Sequence, residues 1–137
     1  MCIIIDANVQ GDFMNQKNKN MQPVHLWLEK GGKIAYSNAT QFNAEIRKRT
    51  GFKDRLDELA KTGRAKLVDK RKVQAEQATL PKLQSNDPHI IALALAAKAK
   101  VLVSKDQALH ADFKEIAKGS VYQTAQHKHL LTADLCP

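Results

Sequence analysis

Two aspartates that follow short apolar runs are the feature of this sequence that points most directly to chemistry. Asp6 ends the run Ile-Ile-Ile at residues 3–5, and Asp106 follows Val-Leu-Val at residues 101–103 after two polar residues. Apolar runs of this length, rich in β-branched side chains, predict buried strands of a parallel sheet. Open α/β sheets bind their ligands beyond the carboxyl ends of the strands, so both carboxylates are predicted to face one crevice. Convergent carboxylates in such a place can hold hard divalent cations.

Each of these acids has a structural alternative that competes with the metal interpretation. Asp87 precedes a proline and Asp106 precedes Gln-Ala-Leu, so each is better explained as a helix N-cap when taken singly. Asp6 differs, because a carboxylate at the end of a buried strand, with no basic residue close in sequence, is costly unless something pairs with it. Glu45 can pair with a basic residue three or four positions later on a helix surface, and a surface position is the default for Asp112. The metal interpretation therefore depends on the set of acids.

Strands and helices alternate along the chain and predict the frame that must position these acids. The predicted strands cover residues 3–6, 33–36, 65–69, 101–104 and 120–123, with a further strand near Leu130. The predicted helices cover residues 22–30, 39–49, 53–62, 89–98 and 107–118, whereas residues 70–84 are ambiguous, with a helix possible before Pro81. This alternation predicts a single α/β domain over residues 1–137, with a mostly parallel sheet flanked by helices.

Composition and charge narrow the class of partner. The chain has 137 residues, 43% of them hydrophobic, and a net charge of +8, which suggests a polyanionic partner, nucleic acid before membrane. Residues 47–82 carry 12 Lys and Arg against 5 Asp and Glu, while the remainder carries 10 against 9. This stretch is interpreted as an arm that contacts phosphate, although a solvated helix surface is the commoner fate of such a run. No bilayer-spanning segment or signal peptide is expected, and two cysteines fit a reduced, cytoplasmic setting.

The four acidic segments, taken in order, resemble those of PIN-domain endoribonucleases. Residues 3–9 (IIIDANV) are similar to the family's first strand with its first acid, and residues 37–46 to the segment that carries the second acid. Residues 85–94 (SNDPHIIALA) resemble the helix of the third acid, and residues 101–113 (VLVSKDQALHADF) resemble the fourth motif. The resemblance covers almost the whole chain and implies a three-layer PIN-like fold.

The resemblance also implies the residues of a site and a cofactor. A Mg²⁺ or Mn²⁺ ion would be held by Asp6, Asp87 and Asp106, with Glu45 as a fourth catalytic acid, and a metal of this kind fits oxygen-only ligands. The supporting residues would be Asn8, Ser104 and Asp112. The expected contacts with RNA phosphates come from Arg47, Lys48, Arg49, Lys70, Arg71, Lys72 and Lys105. Single histidines on predicted helices, His110 among them, are interpreted as structural.

Three functions follow from these observations. The first is metal-dependent hydrolysis of single-stranded RNA, in a chain that resembles small stand-alone VapC-type toxins of toxin–antitoxin pairs, with an acidic antitoxin and a homodimer as family expectations. The second is a PIN-like RNA-binding or scaffold subunit with weak or no catalysis, whose acids serve as helix caps. The third is a structure-specific DNA nuclease, which would share the same site chemistry.

Overall fold

A parallel five-stranded sheet forms the centre of the molecule. The computed structural model describes residues 2–38 and 51–132. The strands are β1 (Ile3–Ile5), β2 (Ile34–Ser37), β3 (Ala65–Val68), β4 (Val101–Val103) and β5 (Ser120–Tyr122). Their order across the sheet is β3-β2-β1-β4-β5, and every pair of neighbours is parallel. The predicted α/β class is confirmed.

Helices connect the strands, as crossovers between parallel strands require. They are α1 (Gln10–Met14), α2 (Gln22–Glu29), α3 (Phe52–Lys61), α4 (Lys70–Ala78), α5 (Pro88–Ala97) and α6 (Gln107–Asp112). Short 3₁₀ helices occupy Ala7–Val9 and Ala125–Leu130, and α6 continues as a π-helix over Phe113–Ala117. The element predicted for residues 39–49 lies outside the described residues.

Two sequence-based predictions change at this level. The strand predicted near Leu130 is wrong, because Ala125–Leu130 forms a 3₁₀ helix. That helix begins with a capping box, in which Thr124 and the side chain of His127 satisfy each other's backbone N–H groups. The ambiguous stretch 70–84 contains α4, which begins after the N-cap Asp69 and ends before Pro81.

The strand order creates a switch point beside the central strand. The chain runs from β1 outward through β2 to β3, then returns to the other side of β1 and continues outward from β4 to β5. Right-handed crossovers, the usual sense for parallel strands, place the helices before β3 on one face and those after it on the other. The carboxyl ends of β1 and β4 therefore flank the position where doubly wound sheets have their crevice.

The core lies around these two strands. All residues of β1 and β4 are buried, and Ile3, Ile4 and Ile5 pair in register with Val101, Leu102 and Val103. Helix α5 is apolar on nearly every side, and such a helix is buried when it belongs to a folded domain. Within the described ranges, none of the helices has the length and apolar character that a bilayer crossing requires.

Candidate active site

Asp6 stands immediately after the central strand and is buried, with a relative exposure of 5%. Its backbone N–H donates to the carbonyl of Val103 at 3.0 Å, which ties the residue to the end of β4. One carboxylate oxygen, Oδ1, accepts the N–H of Ala7 at 2.7 Å and so caps the following 3₁₀ helix. The sequence offered no local partner for Asp6, and the structure supplies one in the next residue.

Ser104 joins Asp6 to the second acidic segment. This serine follows β4, is fully buried, and its hydroxyl donates to Oδ2 of Asp6 at 2.8 Å. The same Oγ atom accepts the backbone N–H of Asp106 at 3.1 Å. One hydroxyl thus links the strand-end carboxylate to the turn that carries the other acid, and a buried hydrogen bond to a carboxylate is among the stronger kinds. The structure therefore brings Asp6, Ser104 and Asp106 together at the switch point.

The helix-cap alternative holds for one of the two later acids. The Oδ1 atom of Asp106 accepts the N–H groups of Ala108 and Leu109 at 3.0 and 3.2 Å, so Asp106 caps α6. Asp87 occupies the N-cap position of α5, but its side chain does not cap that helix. A carboxylate oxygen can accept more than one partner, so capping by Asp106 leaves its chemistry as a metal ligand possible.

Asp112 is buried, not on the surface as its default interpretation had it, with a relative exposure of 2%. Its two carboxylate oxygens accept the backbone N–H groups of Gln84 and Ser85, at 3.0 and 2.9 Å. Burial alone would raise the pKa of Asp112, but these hydrogen bonds, together with one from the Ser85 side chain, outweigh it and lower the pKa. Asp112 thus fixes the segment that leads into Asp87, whose N–H is 3.4 Å from Oγ of Ser85.

Lys105 and Asn8 lie at the solvent side of the acidic turn. The ammonium of Lys105 forms an ion pair with Asp12 at 2.6 Å, and its backbone N–H points to Oδ1 of Asn8 at 3.4 Å. The side chain of Lys105 is 59% exposed, so it is accessible to a phosphate. Its pairing with Asp12, 93 positions away in sequence, could not be anticipated from local spacing.

Three of the predicted phosphate contacts form the first turn of α4. Lys70, Arg71 and Lys72 are all exposed there, behind the N-cap Asp69, which accepts the N–H of Arg71 at 2.8 Å. Cations at a helix N-terminus oppose the helix dipole, so this cluster does not stabilise α4. The other predicted contacts, Arg47, Lys48 and Arg49, lie outside the described residues.

The predicted metal site remains a prediction. In residues 2–38 and 51–132, no three His, Cys, Asp or Glu side chains form a group that could hold a metal ion. Glu45, the expected fourth acid, lies outside these ranges. The hydrogen bonds described above connect Asp6 with Asp106 through one hydroxyl, and connect Asp87 to α6 through the segment that Asp112 holds.

His110, which is interpreted from the sequence as structural, contacts the backbone of this region. It is buried, and its Nε2 atom lies 2.7 Å from the carbonyl oxygen of Ser104. Its position four residues after Asp106, on one face of α6, was the only signal in the sequence. Its partner became visible only with the fold.

A groove on another part of the surface contains none of the predicted site residues. It has a volume of about 730 Å³ and lies between α1, α2 and α3. Its apolar lining includes Met14 and Leu26, which are 40% and 56% exposed, and two arginines and two glutamates also line it. Exposed apolar side chains that share a groove are typical of a surface that binds a partner.

The fold of this protein is similar to that of a protein of known structure. No protein-family model matches this sequence, and no curated protein matches it. The structure is similar to that of a chain in the crystal structure of VapBC2 from Rickettsia felis bound to a DNA fragment from their promoter. The TM-score is 0.54, with 19% sequence identity over 88% of this chain and 97% of that chain. The parallel sheet and its flanking helices thus match a PIN-like fold, while identity this low says nothing about chemistry.

Proposed function

We propose that this protein is a metal-dependent endoribonuclease that hydrolyses phosphodiester bonds of single-stranded RNA. The observation that carries the proposal is the buried carboxylate of Asp6 at the switch point of the sheet, joined through the Ser104 hydroxyl to the Asp106 turn. A buried carboxylate is expensive unless it is well paired. Its placement at the ligand crevice of a doubly wound sheet favours a functional role over a purely structural one.

The chemistry of the predicted ligands suits a hard cation, although no three of the described residues form a group that could hold one. The residues that would hold Mg²⁺ or Mn²⁺ are Asp6, Asp87 and Asp106, with Glu45 as a further acid, and all of them offer oxygen ligands. When bound, such a cation supplies Lewis-acid activation of water and stabilises charge on the phosphate. The chain's own contribution is orientation: Ser104 holds one oxygen of Asp6, the N–H of Ala7 holds the other, and the fixed carboxylate is ready to bind without reorganisation.

The distribution of charge supports RNA as the substrate. The chain has a net charge of +8. The three exposed cations of the first turn of α4 lie at the positive end of the helix dipole, where their charge is unfavourable. A bound phosphate would neutralise these cations and so remove this repulsion. Replacing Lys70, Arg71 and Lys72 with Ala is expected to weaken RNA binding and to reduce the salt slope by about 2, since each phosphate that a cation neutralises adds about 0.7 to that slope. An unchanged slope would show that these charges face only solvent.

We further propose the toxin role of a toxin–antitoxin pair, in a cytoplasmic setting and with a homodimer as the assembled state. The related VapBC2 structure is a complex bound to promoter DNA, and its fold is the one found here. An acidic antitoxin suits a chain of net charge +8, and the groove with exposed Met14 and Leu26 offers an apolar surface for it. Copurification with an acidic protein encoded beside this one tests the assignment.

A cleavage assay with matched variants tests the nuclease. Wild-type protein is incubated with single-stranded RNA and Mn²⁺, with and without a chelator, beside Asp6→Asn and Asp106→Asn. Asp69→Asn is the control, because Asp69 is also an N-cap aspartate, and asparagine caps helices as well as aspartate does. We expect both site variants to lose at least about 100-fold in rate, and the control to match wild type. No cleavage by wild type, or equal cleavage by all variants, would refute the proposal.

A second candidate function is a PIN-like RNA-binding or scaffold subunit without catalysis. The use of Asp106 as the cap of α6 favours it, since the cap explains that residue without a metal. RNA binding that persists in the absence of any cleavage would support this candidate. A duplex or flap DNA substrate in the same assay separates RNA cleavage from structure-specific DNA cleavage.

A further inference from the structure

The imidazole of His110 lies behind the acidic turn, against the backbone of Ser104. Its Nε2 atom lies 2.7 Å from the carbonyl oxygen of Ser104 and its Nδ1 atom 3.5 Å from Nε2 of Gln123, which follows β5. A carbonyl can only accept, so Nε2 carries a proton and donates to Ser104.

The carbonyl that His110 holds belongs to the residue that organises both acids. Ser104 donates its hydroxyl to Asp6 and accepts the N–H of Asp106, so the orientation of its peptide decides whether both bonds can form. Ser104 is fully buried, and a buried carbonyl that loses its donor is costly because water cannot easily replace it. A side chain that clamps this carbonyl therefore acts on the carboxylate of Asp6 and on the backbone of Asp106.

We propose that His110 is a positioning residue of the acidic site. It holds the turn after β4 so that Ser104 orients Asp6 and Asp106 for cation binding, and this part of the inference rests on the proposed nuclease function. Partners that orient the ligands of a metal site typically change metal affinity 10- to 100-fold when they are removed, which is about the effect expected here. His110 supplies no ligand and no proton to the reaction.

Substitutions at His110 separate positioning from packing. His110→Phe keeps a ring of similar size and removes the donor, whereas His110→Gln places an amide N–H near the position of Nε2. His25→Phe is the matched control, because Nε2 of His25 also bonds to a backbone carbonyl, that of Phe13 at 2.8 Å, away from the acids. Thermal unfolding of each variant checks that the fold is retained.

Two measurements are made on these proteins. The first is amide hydrogen exchange of the metal-free protein, where His110→Phe is expected to lower protection of the Asp106, Ala108 and Leu109 amides at least about tenfold, with β2 unchanged. The second is the dissociation constant for Mn²⁺ alone, expected to rise about 10-fold or more in His110→Phe. His110→Gln is expected to restore most of both values, and His25→Phe to change neither.

The outcomes distinguish this inference from the proposed function. Wild-type protein that neither binds Mn²⁺ nor cleaves RNA would refute the nuclease, while hydrogen exchange would still decide whether His110 holds the turn. Exchange at the turn unaffected by His110→Phe would overturn the positioning role. An equal loss of protection throughout the sheet, without rescue by His110→Gln, would also overturn it, because that pattern is the one produced by lost packing. Altered exchange with unchanged Mn²⁺ affinity would show that the clamp does not serve the acids.

Discussion

Replacing Asp112 with asparagine changes a buried carboxylate into an amide of nearly the same size, and we expect the protein to lose stability. In the wild type, both carboxylate oxygens accept hydrogen bonds from the chain, one from Gln84 and the other from Ser85. Asparagine offers one oxygen and one NH₂ group, so whichever way the amide is turned, one backbone N–H faces another donor. The segment that leads into Asp87 then loses one of its two attachments.

The expected loss in the free energy of unfolding is about 2–4 kcal/mol. A hydrogen bond to a charged group contributes about 1.5–3 kcal/mol, and its loss costs more where a buried donor is left without an acceptor. Because Gln84 is exposed, water can take over part of its lost bond, which favours the lower part of this range. Even so, the loss is a large fraction of the 5–15 kcal/mol that is typical of a whole domain, so about 2 kcal/mol is easily measured.

The difference between wild type and variant is expected to depend on pH. Hydrogen bonding lowers the pKa of Asp112 in the folded state, so the wild type binds fewer protons there than when it is unfolded. The stabilisation is therefore fully present above the unfolded pKa of about 3.9 and is lost as pH falls through the lower folded-state value. The asparagine side chain of the variant cannot titrate, and the two stability curves should converge in acid.

Urea unfolding at neutral pH and at about pH 3 measures both effects. Asp54→Asn is the control, because Asp54 is exposed on α3 and its replacement should change stability by less than about 0.5 kcal/mol. A loss at Asp112 as small as that of the control would refute the proposed attachment. A loss of the same size at both pH values would show that the hydrogen bonds to Asp112 do not depend on its ionised carboxylate.

Three further substitutions or titrations test other interactions. Ser104→Ala is expected to cost about 2–3 kcal/mol in urea unfolding, and less in an Asp6→Asn background because the lost bond is then neutral; strictly additive costs would contradict this. Gly119→Ala would place a Cβ against the ring of the buried Phe113 and 2.7 Å from the carbonyl oxygen of Lys100, and should cost about 1–3 kcal/mol; an unchanged melting temperature would show that both neighbours can move aside. Burial raises the pKa of Tyr122 to about 12. In a variant whose other tyrosine is replaced by phenylalanine, an ultraviolet titration should therefore show ionisation of Tyr122 near that value. Ionisation near the ordinary tyrosine pKa of about 10 would contradict this. Stability from this group should be complete below about pH 10 and decline as pH rises through the folded-state value.

Local signals were sufficient for most of the frame. The apolar runs at residues 3–5 and 101–103 are strands because they are buried on both faces, and a pattern of that kind is visible in the sequence alone. The strand predicted near Leu130 is a helix instead, and this helix depends on a capping box with His127 in the place where Glu or Gln is usual.

Contacts between residues far apart in sequence limited how much of the site could be predicted. The types and order of the acids were visible, but the partner of Asp6 lies 98 positions away, and no local pattern identifies which hydroxyl approaches which oxygen. His110 could be interpreted only as a structural histidine for the same reason, since its partner is a backbone carbonyl and every residue has one. The residue types thus predicted where chemistry is concentrated, and only the fold revealed what holds it in place.

The central position of β1 has a consequence for folding during synthesis on the ribosome. β1 is synthesised well before β4, yet it pairs with β4 as well as with β2, and Ser104 follows β4. Chains are synthesised from the N-terminus at about 5–20 residues per second, so Ser104, whose hydroxyl binds Asp6, is added several seconds after Asp6. A nascent chain therefore carries its first acid long before it can orient it.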